Sequence, residues 1–205
     1  MKSLAIIGAG GHGKVVADIA SECGFTLIDF FDDGKQPGQK IGAWEVSGTV
    51  DDLERKYSDY TGIFVAIGHN ETRANLMKRF AYTKLVTLIH PSSVVSTSAQ
   101  IGTGTVVMPR AVINAFSAVG NGVIINTATV IEHDCHIGDY SHISPGAVLS
   151  GTVHIGQYCW LGANCSIKQN ITIGTGAVVG IGSVVIRDVR ASVTVIGSPA
   201  TELKK

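Results

Sequence analysis

No excess of either charge runs through this 205-residue chain: Lys plus Arg equals Asp plus Glu at 16 each. That balance excludes the overall basic field that draws nucleic acid or anionic membrane, so any partner is recognised locally. Cysteine is scarce as well. The four cysteines, Cys23, Cys135, Cys159 and Cys165, form no C-x-x-C pair, which excludes a zinc cluster or a disulfide framework and leaves them reduced and structural. Long apolar runs are also missing. The N-terminus, Met1-Lys2-Ser3-Leu4-Ala5-Ile6-Ile7-Gly8, meets a glycine turn after a stretch too short for a signal-peptide core or a membrane span, so a cytoplasmic protein without membrane insertion is expected. What the chain does have is 45% hydrophobic content, enough to bury a core in one large domain or two modest ones, and too much for disorder.

The second half repeats every six residues. From Ile101 onward the sixfold positions run Val107, Ile113, Val119, Ile125, Ile131, Ile137, Ile143, Leu149, Ile155, Leu161, Ile167, Ile173, Val179 and Val185, all aliphatic and without an insertion. A period of eighteen is nested inside: Ile101-Gly102, Val119-Gly120, Ile137-Gly138, Ile155-Gly156 and Ile173-Gly174. Three hexads therefore make one coil of a solenoid, with the aliphatic pointing into a narrow prism and glycine placed where the chain rounds a corner. The residue four after each aliphatic is often small, as at Thr105, Ser117, Cys135, Ser141, Cys159 and Cys165, which gives the late cysteines a packing role. The pattern resembles the hexapeptide-repeat acyltransferases, and the resemblance implies a left-handed parallel β-helix over residues 91–205, with a C-terminal tail.

Before Pro91 the rule changes. Leu4–Ile7 reads as a strand, Gly8-Ala9-Gly10-Gly11-His12-Gly13 as a glycine turn and Lys14–Cys23 as a helix; Leu27–Phe31 and Ile63–Ile67 read as further strands, Glu71–Phe80 as a helix, and Leu85–Ile89 leads out. Alternating strands and helices predict a small parallel sheet of Rossmann type over residues 1–90. The G-x-G-x-x-G spacing of Gly8, Gly10 and Gly13 lets backbone amides at a helix start cradle a phosphate, and Asp32-Asp33 follow at the spacing at which an acid reaches a nucleoside. The domain is too short for the second half that a dinucleotide needs, so a nucleoside diphosphate is expected in place of NAD.

Taken together, Gly8 to Gly13, Phe31-Asp32-Asp33, Ile89-His90-Pro91, Asn126-Thr127-Ala128-Thr129-Val130-Ile131-Glu132-His133-Asp134-Cys135 and the closing Gly197-Ser198-Pro199-Ala200 resemble the NeuD/PglD-like sugar O-/N-acyltransferases. These include the N-acetyltransferases of nucleotide-linked 4-amino-4,6-dideoxy sugars. The resemblance implies an acetyl-CoA-dependent homotrimer with active sites between subunits, serving bacterial surface glycan or glycoprotein synthesis, its nucleotide being UDP, dTDP or GDP. It implies that His133 is the general base and Asp134 its acidic neighbour, that Asn126 lies near the sugar amine, and that His142 contacts the acetyl-CoA thioester. Gly10, Gly11, His12, Gly13, Asp32 and Asp33 become substrate-binding positions. An amide near Gly151 becomes the oxyanion donor, and Gly162, Ala163, Gly180 and Gly182 line the pantetheine arm. Lys168 and Arg187 are candidate phosphate contacts set against the commoner reading of solvated surface cations, and Trp160 packs on cofactor or neighbour or is a plain corner aromatic.

The chemistry also follows from the residues themselves. An amine attacking a thioester needs a base for the proton it releases, and histidine titrates in the right range. A carboxylate beside it selects the useful tautomer and stabilises the imidazolium. The substrate supplies the nucleophile, so Cys135 is not needed as one. His136 is expected at a corner, facing solvent. A zinc site built from His133, His136 and His142 is not expected, because it leaves the glycine loop and Asp32-Asp33 without a task. Two other readings are sialic-acid-type O-acetylation, which shares the base, and a non-catalytic sugar-nucleotide-binding scaffold, against which an intact His133-Asp134 pair argues.

Overall fold

The computed structural model describes residues 2–203. Contacts divide the chain into two compact units, one ending at Pro91 and one beginning at Ser92. Among the described residues no helix is long and apolar enough to cross a membrane.

The first unit is a five-stranded sheet of β1 (Ser3–Ile7), β2 (Leu27–Phe31), β3 (Lys40–Ile41), β4 (Trp44–Gly48) and β5 (Gly62–Val65), in the order β3-β4-β2-β1-β5. The helices are α1 (Gly11–Glu22), α2 (Val50–Lys56) and α3 (Asn70–Arg79). β1 is central and buried at every position, because its SLAII run carries no outward polar alternation. It pairs in parallel with β2 on one side and β5 on the other, so chain direction across the sheet reverses at β1. Two features depart from the expected all-parallel sheet. β3 pairs antiparallel with β4, Lys40 opposite Glu45 and Ile41 opposite Trp44, and β4 and α2 are elements that the sequence reading does not predict. The sign for α2 was present in the sequence: Thr49 and Asp52 form a reciprocal capping box at its start. α1 begins at Gly11, so His12 and Gly13 belong to the helix and not to the turn.

The second unit is the left-handed parallel β-helix. Its two-residue strands stack into three faces. One carries Ala118, His136 and His154 outward; one carries Ile124, His142 and Trp160; one carries Val94, Val112, Val130, Val148, Ser166 and Val184. His136 thus sits in a strand, stacked on His154 with ring centroids 5.2 Å apart, and not at a corner. Every sixfold aliphatic from Val107 to Val185 is buried, each contributing roughly 1.5–3 kcal/mol.

The small position four residues later explains how coils interlock. Ser141 Oγ donates to Gly156 O at 2.8 Å and accepts from Cys159 N at 3.0 Å. Thr105 and Ser117 repeat the pattern, and Cys135 and Cys159 each aim a thiol at a carbonyl 3.2 Å away in the next coil. Burial pushes the Cys165 thiol up to about 12.

The expected place of glycine at the corners needs correcting. The left-handed corner residue lies three after each aliphatic and is mostly not glycine: Arg110, Phe116, Ala128, Asp134, Tyr140, Thr152, Tyr158, Asn164 and Asn170 all have φ between 55° and 61°. Each such conformation costs about 1–2 kcal/mol. The ladder of amides reaching back to the coil below offsets it, as when Asp134 N donates to Ala115 O at 3.0 Å and Thr152 N to His133 O at 2.9 Å. Gly138, one after its aliphatic, is there for proximity instead: a Cβ would lie 2.6 Å from Gln157 N and from Gly156 C.

Candidate active site and nucleotide cleft

In the first unit the glycine turn divides into two kinds of position. Gly8 has φ +103°, and a Cβ there would lie 2.6 Å from Ile67 Cδ1; a Cβ on Gly13 would strike Gly8 O. Both are required by the turn and by helix-to-strand packing. Gly10 and Gly11 are not, since a Cβ on either meets nothing within 4 Å. Asp32 anchors the turn from β2: Oδ2 accepts from Ala9 N at 2.7 Å and Oδ1 from Gly34 N at 2.8 Å. Asp33 Oδ1 accepts from Val50 N at 2.9 Å, so this acid holds the first turn of α2. Both acids also line a cleft of about 450 Å³ with an apolar floor of Ile7, Phe31, Val50, Ile67 and Leu76 and a polar rim that includes Thr72, Asn75 and Arg79. That cleft opens at the carboxyl ends of β1 and β2, where open parallel sheets bind nucleotides. His12 behaves differently from a surface loop histidine. Its Nε2 is buried without a hydrogen-bond partner, and burial, with the nearby Arg73 charge, holds the imidazole down at about 4.

In the β-helix, His133 and Asp134 sit at the corner between the valine face and the His136 face. His133 Nδ1 lies 2.8 Å from Asp134 Oδ2, and both side chains are more than half exposed. An ionised carboxylate only accepts, so Nδ1 carries the proton and Nε2 presents its lone pair outward, as a base requires. Asp134 reaches back to its neighbour because it occupies the left-handed corner at φ 59°, a conformation Asp tolerates. Gly151, one coil on, is the seat of the ring: a Cβ there would lie 2.6 Å from both Cε1 and Nε2 of His133. The neighbouring Glu132 accepts from Asn114 Nδ2 at 2.9 Å.

A second cluster occupies the other edge of the valine face. Asn126 Oδ1 accepts from Thr127 N at 2.8 Å, which fixes the amide so that Nδ2 is the group 3.1 Å from His142 Nε2. Nδ2 only donates, so His142 Nε2 accepts and its proton resides on Nδ1. His142 stacks on Trp160 at 5.9 Å with the rings 6° from parallel, and Trp160 Nε1 donates to Ser144 Oγ at 3.0 Å. Asn126 therefore orients a histidine, a task the sequence had not disclosed, and Trp160 backs that histidine from a strand. Gly162, Ala163, Gly180 and Gly182 follow Asn126 along the same corner, coil by coil; Gly162 is also demanded by packing, its Cβ falling 2.6 Å from Ile181 N. Gly151, Lys168 and Arg187 lie instead along the His133 corner. The predicted residues thus form two groups flanking one apolar face. Sequence reasoning missed Thr72, Asn75 and Arg79 on α3, whose helical spacing was the one available sign.

Two stretches of the chain match known families. Residues 3–80 match the family described as PglD N-terminal domain, and residues 116–151 the one described as bacterial transferase hexapeptide (six repeats). The acetyltransferase domain of PglB from Neisseria gonorrhoeae FA1090, solved in complex with acetyl coenzyme A, is 42% identical with a TM-score of 0.94, over 98% of this chain and 99% of that one. A mutant of perosamine N-acetyltransferase from Caulobacter crescentus, in complex with CoA and GDP-perosamine, is 36% identical with a TM-score of 0.94, over 100% of this chain and 98% of that one. UDP-N-acetylbacillosamine N-acetyltransferase of Bacillus subtilis (strain 168) is 40% identical over 111 residues, 52% of this chain and 51% of that protein, so the match spans about half the length of this curated relative.

Proposed function

The chain belongs to the PglD/NeuD-like hexapeptide-repeat sugar acetyltransferases, and on that premise we propose that it transfers the acetyl group of acetyl-CoA to the C4 amine of a nucleotide-linked 4-amino-4,6-dideoxy sugar. The observation that carries the proposal is the His133–Asp134 pair, 2.8 Å apart, with its ring seated on Gly151. The acetyl-CoA complex of the Neisseria domain and the GDP-perosamine complex of the Caulobacter enzyme support the two substrates.

The amine lone pair attacks the thioester carbonyl carbon, forming the C–N bond, while His133 Nε2 takes the proton that the nitrogen releases. Asp134 stabilises the imidazolium through Nδ1–H. The tetrahedral oxyanion is met by a backbone amide, for which Gly151, against the His133 ring, is our candidate. Collapse breaks the C–S bond, and the imidazolium returns its proton to the CoA thiolate. In the first unit the cleft and the Gly10–Gly11 turn hold the nucleoside diphosphate.

We further propose that the working form is a homotrimer. Val94, Val112, Val130, Val148 and Val184 make a valine ladder interrupted only by Ser166, with Val94 63% and Val148 37% exposed. Three prisms that bury this ladder around a threefold axis bring the His133 corner of one copy against the Asn126 and His142 corner of the next. That arrangement unites the two half-sites, which lie on opposite edges of the ladder within one chain.

Thiol release from acetyl-CoA, measured against UDP-, dTDP- and GDP-linked 4-amino sugars and against sugar hydroxyl acceptors, tests the reaction. At least one amine should be acetylated at a rate that His133→Ala lowers by about 10²-fold or more, with CoA binding retained. Full turnover in that variant removes His133 as the base.

A further inference from the structure

The loop after β5 faces the loop after β1. Because β2 and β5 flank β1 on opposite sides, these two loops border the crevice where strand order reverses, the place at which open parallel sheets take ligands. They touch at their bases, where a Cβ on Gly8 would lie 2.6 Å from Ile67 Cδ1 and 2.9 Å from Ala66 O. Farther out, Gly68 repeats the property of Gly10 and Gly11: a Cβ meets nothing within 4 Å, and its φ is outside the left-handed range. Neither packing nor backbone conformation demands glycine there, and the bare backbone is open to close approach by a group outside the chain.

Arg73 sets how this loop is presented. It is 1% exposed and lies on α3, beneath the turn. Its Nη1 donates to Ile67 O at 2.8 Å and to Gly68 O at 2.9 Å, and its Nη2 to Asn70 Oδ1 at 2.7 Å. In a trans peptide the N–H points opposite to the C=O. Drawing the carbonyls of residues 67 and 68 toward the guanidinium therefore turns the amides of Gly68 and His69 away from it. The guanidinium adds a fixed positive charge behind them. On α1, close enough to feel the Arg73 charge, His12 Nε2 is buried without a partner.

We infer that the Gly68-His69-Asn70 turn, held by Arg73, is the second jaw of the crevice and grips the substrate's diphosphate opposite the Gly10–Gly11 turn. This rests on the reading that the first unit binds a nucleoside diphosphate. Arg73 is here a positioning residue, and Gly68 a contact.

The test is titration calorimetry of the whole chain with UDP, dTDP and GDP and with the matching nucleosides, for wild type, Gly68→Ala and Arg73→Lys. Alanine at 68 has open space, so melting temperature should match wild type. Its Kd for the accepted nucleoside diphosphate should rise at least about tenfold, while the Kd for the bare nucleoside stays within about twofold. Arg73→Lys, which keeps the charge and loses the fork, should move the diphosphate Kd in the same direction. A folded Gly68→Ala protein that binds the diphosphate as tightly as wild type overturns the second jaw alone. Equal loss for nucleoside and diphosphate also overturns it, since the contact would then not be with phosphate. Failure of wild type to bind any of the three nucleotides defeats the underlying reading and the inference with it.

Discussion

Gly151→Ala isolates the seat of the base from every other part of the site. The added Cβ would lie 2.6 Å from Cε1 and Nε2 of His133 and 3.2 Å from Nδ1. Ordinary contact begins at 3.4 Å, so the ring must retreat by about 0.8 Å, and displacements of about 1 Å at a reacting group cost about 10²-fold in rate. The ring has room to move, because His133 is 61% exposed, but doing so strains the 2.8 Å contact to Asp134. We expect kcat to fall about 10²-fold, equivalent to about 2.7 kcal/mol of activation free energy. Gly151 is outside the left-handed region, so the fold should persist with little change in melting temperature. The Gly151 N–H also survives the substitution, which separates the seat from any oxyanion role. The assay is steady-state thiol release, with CoA binding measured in parallel. A wild-type kcat in Gly151→Ala would mean that His133 does not work from the position seen here, and His133→Ala should then be tested for the same indifference.

Two further outcomes follow from the buried and the exposed ends of the molecule. His12 is held at about 4, below its ordinary 6.5, so the unfolded chain binds a proton there that the folded chain refuses. Stability should therefore be flat above about pH 6.5 and fall as pH drops toward about 4, by up to about 3 kcal/mol. Chemical denaturation of His12→Gln across that window should show a flatter slope, and an unchanged slope would remove His12 as the cause. On the valine ladder, Val148→Glu places a charge where the proposed trimer buries apolar surface. Light scattering should report loss of the trimer together with loss of turnover, whereas an intact active trimer would move the interface to another face.

Much of the β-helix was readable because its cross-section is local. Each hexad must place one aliphatic inside, so period six survives in the sequence whatever the surroundings, and the eighteen-residue spacing follows from three sides. The strands before Gly8 and at Leu27–Phe31 were legible for the same reason, as buried apolar runs bounded by turns. By contrast, β4 and α2 were hidden. Trp44-Glu45-Val46-Ser47 does alternate apolar and polar, but over only four residues before Gly48, and α2 is only seven residues long, so neither run is long enough for its periodicity to stand out. The glycines misled: the sequence ties Gly138 to a corner, but its reason is the backbone one coil away.

The sequence by itself determined the solenoid, the glycine turn and which histidines belong to the family's motif, because periodicity and short motifs are properties of neighbouring residues. Only the tertiary structure decided that His133 rests on Gly151, that Asn126 fixes the tautomer of His142, and that these two clusters lie on opposite edges of one valine face. Those relations join residues about one coil apart in sequence but are set by stacking register and by left-handed corners at non-glycine residues, for which no local pattern gives notice.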